Sequence, residues 1–311
     1  MAIEHACVRV VHKPWGSSDL RPWSCVDGTG DAVGELWFER ADKDAPTPSL
    51  LLKLLFTSQP LSIQVHPDDT FARAIGLRNG KSEAWYILWA KPGAQVGVGL
   101  KHRVTPQELH ASIRNGSIVD LLHWRTVAPG DSIFIPAGTI HAIGAGIVLA
   151  EIQQHSDATF RLFDYGSQRE LHEDNGVAVA NAGPLRDLCS PTRLTSTRTV
   201  LVASRHFVLE QVDLPAGSSW ALMAEPETWI LVLEGHAAVG LAAASIGQTI
   251  FVGGDRASLV VGADGLKALI AYSANRPVES LLQKLSEQQV TSISPAAAAV
   301  PQLTGFAETP T

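Results

Sequence analysis

Short apolar runs, each closed by glycine or proline, set the tightest limit on what this chain can fold into. The 26 glycines and 18 prolines are spread along 311 residues. Between them lie Leu50–Phe56, Leu61–His66, Ala84–Trp89, Ser132–Ile135, Ile147–Gln154 and Thr159–Asp164. Most of these runs are rich in Ile, Val, Leu or aromatic residues, which suit a half-buried pleated surface. Many short strands joined by turns read as a sandwich or barrel. One helix signal interrupts them. Thr105-Pro106-Gln107-Glu108 places an N-cap, a proline at the first helical position and a glutamate three residues after the cap. Leu109, Ile113, Ile118, Leu121 and Leu122 follow at helical spacing, with Asn115-Gly116 as a break. A second short helix is predicted over Phe71–Leu77. No βαβ alternation is sustained, so a doubly wound parallel sheet is disfavoured.

Turn formers concentrate at Asn181, Gly183, Pro184, Ser190 and Pro191, which sets a domain boundary between Asn181 and Arg198. Strand-like runs then resume at Phe207–Val212, Thr228–Leu233, Ala237–Leu241, Thr249–Val252, Ala257–Val261 and Ala268–Tyr272. Turns are predicted at Pro215-Ala216-Gly217, Glu234-Gly235 and Gly262–Gly265. The fold class is all-β, with two jelly-roll or β-sandwich domains and a few short helices. Their bounds are 1–190 and 198–274, and a loose tail runs over 275–311. The tail begins with an amphipathic helix at Val278–Val290 and is then rich in Ser, Pro, Ala and Thr.

Composition narrows the function classes. With 45% hydrophobic and 18% charged residues the chain can bury a core and is not a disordered protein. A formal charge of −7 argues against nucleic acid or an anionic membrane as partner, because both need clustered Lys and Arg. An anionic substrate must therefore have its charge met locally. Cys7, Cys25 and Cys189 are odd in number and form no CxxC pair, so neither a disulfide framework nor a thiolate zinc site fits, and a reducing cytoplasm does. The first residues lack the apolar core of a signal peptide, and no run approaches the ~18 apolar residues of a membrane span.

Four patches carry chemistry. In Leu61-Ser62-Ile63-Gln64-Val65-His66, residues two apart share a strand face, so Gln64 and His66 point together, with Ser62 behind them. In Gly80-Lys81-Ser82-Glu83, a carboxylate opens a strand and a lysine two positions earlier can share its face. In Ile133-Phe134-Ile135-Pro136-Ala137-Gly138-Thr139-Ile140-His141, a tight turn between an apolar strand and a histidine can aim His141 at a ligand. In Glu151-Ile152-Gln153-Gln154-His155, Glu151 alternates with apolar Ile152, and Arg161 stands on the next strand, where it can bind an oxyanion. Each patch alone also fits an ordinary polar strand face, an exposed Lys–Glu pair, a solvated turn histidine or a surface arginine. Together, Gln64, His66, Glu83 and His141 offer two nitrogens and two oxygens, a set that suits zinc and tolerates Mn, Co or Fe.

The segments PLSIQVHPDD, GKSEAWYIL, FIPAGTIHAIGAG and LAEIQQHSDATFRLFDYG resemble, in order, the signature segments of type I mannose-6-phosphate isomerases, in particular the short bacterial form. His12-Lys13-Pro14-Trp15-Gly16 and Gly34-Glu35-Leu36-Trp37-Phe38 are similar to that family too, so the likeness covers about residues 10 to 176, and more weakly Thr228–Tyr272. The resemblance implies a zinc-dependent enzyme of two cupin-like domains, catalytic in the first, interconverting mannose 6-phosphate and fructose 6-phosphate. It places metal ligands at Gln64, His66, Glu83 and His141, phosphate contacts at Lys53 and Ser62, and catalytic groups at Lys81, Glu151 and Arg161. The partner it implies is a small sugar phosphate, and it fixes no oligomeric state. Longer members carry His-Lys-Pro-Glu where this chain has Gly80-Lys81-Ser82-Glu83, so a role held by that histidine has no side chain here. A metal-dependent dioxygenase-like cupin and a non-catalytic sugar-phosphate-binding cupin are the alternatives.

Overall fold

Three antiparallel sheets account for most of the structure, a computed structural model that describes residues 2–286 apart from 25, 27–29, 168, 186–189 and 225–226. A six-stranded sheet runs in the order Cys7–Ser17, Val33–Glu39, Leu50–Thr57, Ile147–Gln154, Glu83–Ala90 and Ser132–Ile135. A five-stranded sheet runs Phe160–Phe163, Ile63–Val65, His141–Ile143, Gln95–Leu100 and Leu122–Thr126. The two sheets enclose Trp85, Ile87, Val96, Ile143 and Leu149 between them, and this is a jelly-roll-like sandwich.

Strand alternation decides what each face meets. On Leu50–Thr57, Leu52, Leu54 and Phe56 turn away from the sandwich. They pack with Leu36, Phe38 and Ile152 against Leu201, Phe207, Trp229 and Phe251 of the third sheet. Lys53 and Leu55 point inward. On Ile63–Val65, both Ile63 and Val65 are fully buried on the outer side, under Leu109 and Ile113. Burying each is worth roughly 1.5–3 kcal/mol, which fixes the strand's register and forces Gln64 to the opposite side. The covering helix, Pro106–Asn115, starts with the predicted capping box. Thr105 Oγ1 accepts from Glu108 N, and Glu108 Oε2 accepts from Thr105 N at 2.7 Å. Gly116 ends the helix in the left-handed conformation at φ 78°.

The third sheet has ten described strands and its own core around Trp220, Leu222, Leu259 and Tyr272. Its edge includes the N-terminal strand Ala2–His5, paired with Thr249–Gly253. Glu227 ties it to the six-stranded sheet by accepting from Ser49 N, Ser49 Oγ and Leu50 N at 2.6, 2.8 and 3.0 Å.

Several expectations change here. The turns predicted at Glu234-Gly235 and Gly262–Gly265 are instead passed by two long strands, Thr228–Val239 and Asp255–Tyr272. Register shifts on either side of Gly235 absorb the irregularity as bulges, Gly235 taking φ 73°. At Gly262 a Cβ would lie 2.0 Å from His236 Nε2, so the glycine marks close packing. The helix predicted over Val278–Val290 is absent from its described part. A 3₁₀ turn, Glu279–Leu281, leads into the strand Leu282–Lys284, which pairs with Ser219–Ala224. Buried Arg198 captures the Val278 and Glu279 carbonyls at 2.8 Å each while holding Glu210 bidentately, and Val278 N donates to Tyr272 Oη. Those bonds claim backbone groups that a helix would have used. The rest of the expected tail, 287–311, lies outside the described residues, as do Cys25 and Cys189. Cys7 is free and exposed. Among the described residues no helix is long and apolar enough to cross a membrane.

Candidate metal centre

Two cross-strand rows meet in the sandwich. On the five-stranded sheet, Arg161, Gln64 and His141 are successive register partners. On the six-stranded sheet the row is Arg9, Trp37, Lys53, Glu151 and Trp85. The rows touch where the His141 ring meets Trp85 edge-on, with centroids 5.5 Å apart. His66 follows the strand Ile63–Val65, and Glu83 opens Glu83–Ala90.

His66, Glu83 and His141 are buried, and each offers one ligand atom within 4.8 Å of the others. Glu83 Oε2 stands 3.3 Å from His66 Nε2, and Oε1 stands 3.4 Å from His141 Nε2. The second ring nitrogens fix the tautomers. His66 Nδ1 lies 2.8 Å from the Ala158 carbonyl, and His141 Nδ1 lies 2.9 Å from the Thr139 carbonyl. A carbonyl only accepts, so each Nδ1 carries the proton and each Nε2 turns its lone pair to the centre. Burial first, then the Lys81 ammonium, pushes the His66 pKa down to about 3, and burial lowers that of His141. Both rings are neutral, as ligands must be.

Glu83 is fully buried. Burial raises its pKa, but the nearby positive charge, the Lys81 ammonium foremost, outweighs that and holds it well below the usual carboxylate range. Both its oxygens and His66 Nε2 lack a hydrogen-bond partner among the described residues. Lone pairs facing lone pairs in a dry interior are costly unless something positive sits between them. The Gln64 amide nitrogen lies 3.3 Å from His141 Nε2, and a flip of the amide would turn its oxygen toward the cluster. Two imidazole nitrogens, one carboxylate and one amide oxygen fit a divalent cation.

The other sequence-assigned residues lie around this cluster. Lys81 Nζ is 3.3 Å from Glu83 Oε2. Burial lowers the Lys81 pKa, but Glu83, Glu151 and Glu35 more than reverse this, so the ammonium stays charged. Glu151 Oε1 accepts from Trp85 Nε1 at 3.3 Å, and Oε2 lies 3.4 Å from Lys53 Nζ. Burial and then the Glu83 carboxylate raise the Glu151 pKa. Lys53 also reaches Glu35 at 3.5 Å and lies over the Trp37 ring at 4.1 Å. Ser62 Oγ donates to Gln64 Oε1 at 3.5 Å. Lys53, Ser62, Gln64, Lys81, Glu151 and Arg161 all line one cavity of about 450 Å³, which also receives Arg9, Lys13, Glu35, Trp37, Asp157 and Arg169. Six cationic side chains there face three carboxylates, so the cavity is locally positive inside an acidic chain.

The second six were not singled out from sequence. Alternation was the available signal: Arg9, Val11, Lys13 and Trp15 share the cavity face of Cys7–Ser17, and Glu35 and Trp37 alternate with core Leu36 and Phe38.

This fold and this cluster define a cupin-like all-β protein with a buried His/Glu/His group that can hold a metal ion. The putative mannose-6-phosphate isomerase YvyI of Bacillus subtilis is 33% identical over 222 residues, 66% of this chain and 69% of that protein. The chain belongs to the mannose-6-phosphate isomerase family. It is also 36% identical over 197 residues to the mannose-6-phosphate isomerase ManA of Bacillus subtilis, an alignment spanning 62% of that protein's length, just under two thirds. The solved mannose 6-phosphate isomerase of Bacillus subtilis superposes with a TM-score of 0.75 at 25% identity, covering 87% of this chain and 99% of that one. A putative mannosephosphate isomerase from Archaeoglobus fulgidus, at 18% identity and a TM-score of 0.70, shares the fold over 88% of this chain and 97% of that one. No protein-family model matches the chain.

Proposed function

We propose that the chain is a cytoplasmic, zinc-dependent aldose–ketose isomerase that interconverts mannose 6-phosphate and fructose 6-phosphate through an enediol. The observation that carries this reading is a buried His66/Glu83/His141 cluster, with His66 Nε2 and both Glu83 oxygens lacking hydrogen-bond partners among the described residues, beside a cavity lined by six cations. The relatives' names point the same way. A His/Glu/His set alone also suits an oxygenase; the positive cavity favours a phosphorylated sugar.

In this reading Gln64, His66, Glu83 and His141 hold the metal. Bound there, a divalent cation would supply Lewis-acid chemistry, worth several kcal/mol of charge stabilisation. The isomerisation moves a proton between C1 and C2. Glu151 is the group suited to carry it: its raised pKa brings it nearer the working pH, and the Trp85 indole and Lys53 hold it still. Lys81 remains an ammonium and steadies charge developing on the sugar oxygens. Arg161 offers N–H groups to the substrate from the opposite sheet. Lys53 and Ser62 face the phosphate. Because Lys53 shares its charge with Glu35 and Glu151, Arg9 and Lys13 at the same wall add to the attraction. A coupled assay with mannose 6-phosphate tests substrate and cofactor together. Turnover by zinc-loaded protein and its loss in chelator support the reading; no turnover with zinc, or equal turnover in chelator, rejects it.

A further inference from the structure

Arg161 and Arg169 both line the cavity, and the carboxylate of Asp164 lies near both. Asp164 follows the strand Phe160–Phe163, with its side chain only 6% exposed. It accepts from Arg169 Nε at 2.7 Å and from Arg169 Nη2 at 2.5 Å, and from Ser167 Oγ. Arg161 Nε lies 3.8 Å from Asp164 Oδ2, beyond hydrogen-bond range, and this buried N–H has no acceptor among the described residues. Arg161 is fixed elsewhere: Nη1 donates to the Glu170 carbonyl at 2.8 Å, and its backbone N donates to His172 Nδ1 at 3.1 Å. Between them the chain turns through Tyr165 at φ 50°, a conformation bulky residues rarely adopt. The Tyr165 ring packs edge-on against Phe163 at 5.1 Å. The bonds to Asp164 hold this turn and so place the second guanidinium.

We propose that Asp164 is a positioning residue, which fixes Arg169 beside the separately anchored Arg161, so that the two guanidiniums are paired donors toward the anionic group of the ligand in the cavity. This rests on the sugar-phosphate reading above. Asp164 has two opposed effects. Its negative charge repels an anion, whereas its bonds pre-organise the long Arg169 side chain, which would otherwise lose rotamer freedom on binding. The bidentate geometry makes the second effect the larger one.

The opposed signs make the proposal testable. Zinc-loaded full-length protein and its Asp164→Asn variant are compared in KM and kcat for mannose 6-phosphate and in calorimetric titration with inorganic phosphate. The expected result is a rise of about tenfold in KM and in the phosphate Kd, the scale of one long side chain losing a fixed rotamer. Metal content and kcat should stay near the wild-type values. Asp164→Glu should recover most of the loss, and adding Asp164→Asn to Arg169→Ala should weaken phosphate binding little further than Arg169→Ala alone. Unchanged or tighter phosphate binding by Asp164→Asn overturns the proposal, because Asp164 would then act only as a charge. Should Asp164→Asn not fold, Arg169→Ala, at a more exposed position, decides: phosphate affinity equal to wild type overturns the proposal. A wild-type protein that binds phosphate yet does not turn over mannose 6-phosphate rejects the proposed substrate, while the titrations still judge Asp164.

Discussion

Lys81→Met strips the buried Glu83 carboxylate of the ammonium 3.3 Å away, with the two side chains 6% and 0% exposed. Methionine fills much the same volume, so charge rather than packing dominates the change. Removing one member of a buried ion pair costs about 3–5 kcal/mol, because the other charge stays behind without compensation. At about 2 °C per kcal/mol for a chain of this size, the thermal midpoint in chelator should fall by about 6–10 °C. A cation bound between His66, Glu83 and His141 supplies the missing positive charge. Zinc at 100 times its Kd adds about 2.7 kcal/mol to any folded state that binds it. It binds the variant more tightly, since the competing ammonium is gone. The zinc-induced rise in midpoint should therefore be larger in Lys81→Met than in wild type. Melting curves by circular dichroism in chelator and in zinc measure this. An equal drop in both media, or no drop in chelator, refutes the reasoning.

Other outcomes follow from the same geometry. Arg161→Ala should lose turnover while keeping its metal, since Arg161 lines the cavity and touches none of the donor atoms; near-normal turnover takes it out of the mechanism. Metal-free protein should lose stability as pH falls below about 6.5, the pKa of an unfolded histidine. The unfolded chain then takes up a proton that His66, with a folded pKa of about 3, refuses. The slope is about 1.4 kcal/mol per pH unit, or about 2 kcal/mol at pH 5, with His141 acting in the same direction. A flat urea midpoint between pH 6.5 and 5 would show that the rings are not buried neutral. Truncation at about residue 290 should leave kcat and KM unchanged, because residues 9–169 line the cavity; a large loss would place the tail over it.

How far the sequence could be read depended on what each strand faces. Ser132–Ile135 and Ile147–Gln154 were legible to the residue because their apolar side chains fill a core. Cys7–Ser17 and Val33–Glu39 were not. Their inward faces carry Arg9, Lys13, Glu35 and Trp37, which line a polar cavity and so blur the apolar period. The helix Glu173–Val179 was hidden by Gly176, a poor helix former needed because a Cβ there would meet Leu162 Cδ2 at 2.2 Å. The three residues of the buried cluster were found because each sits at the end of a short strand, next to a recognisable motif. The Arg169–Asp164 pair was missed because it depends on a turn through Tyr165 that no local pattern announces.

The central claim is that buried side chains from both sheets of the sandwich converge on one cation. Elemental analysis with X-ray absorption on zinc-reconstituted protein tests it most directly. One zinc per chain with two imidazole nitrogens and oxygen ligands is expected, with loss of that ion in His141→Ala without unfolding. A chain that binds no zinc, a sulfur-ligated zinc, or a fully loaded His141→Ala would contradict it.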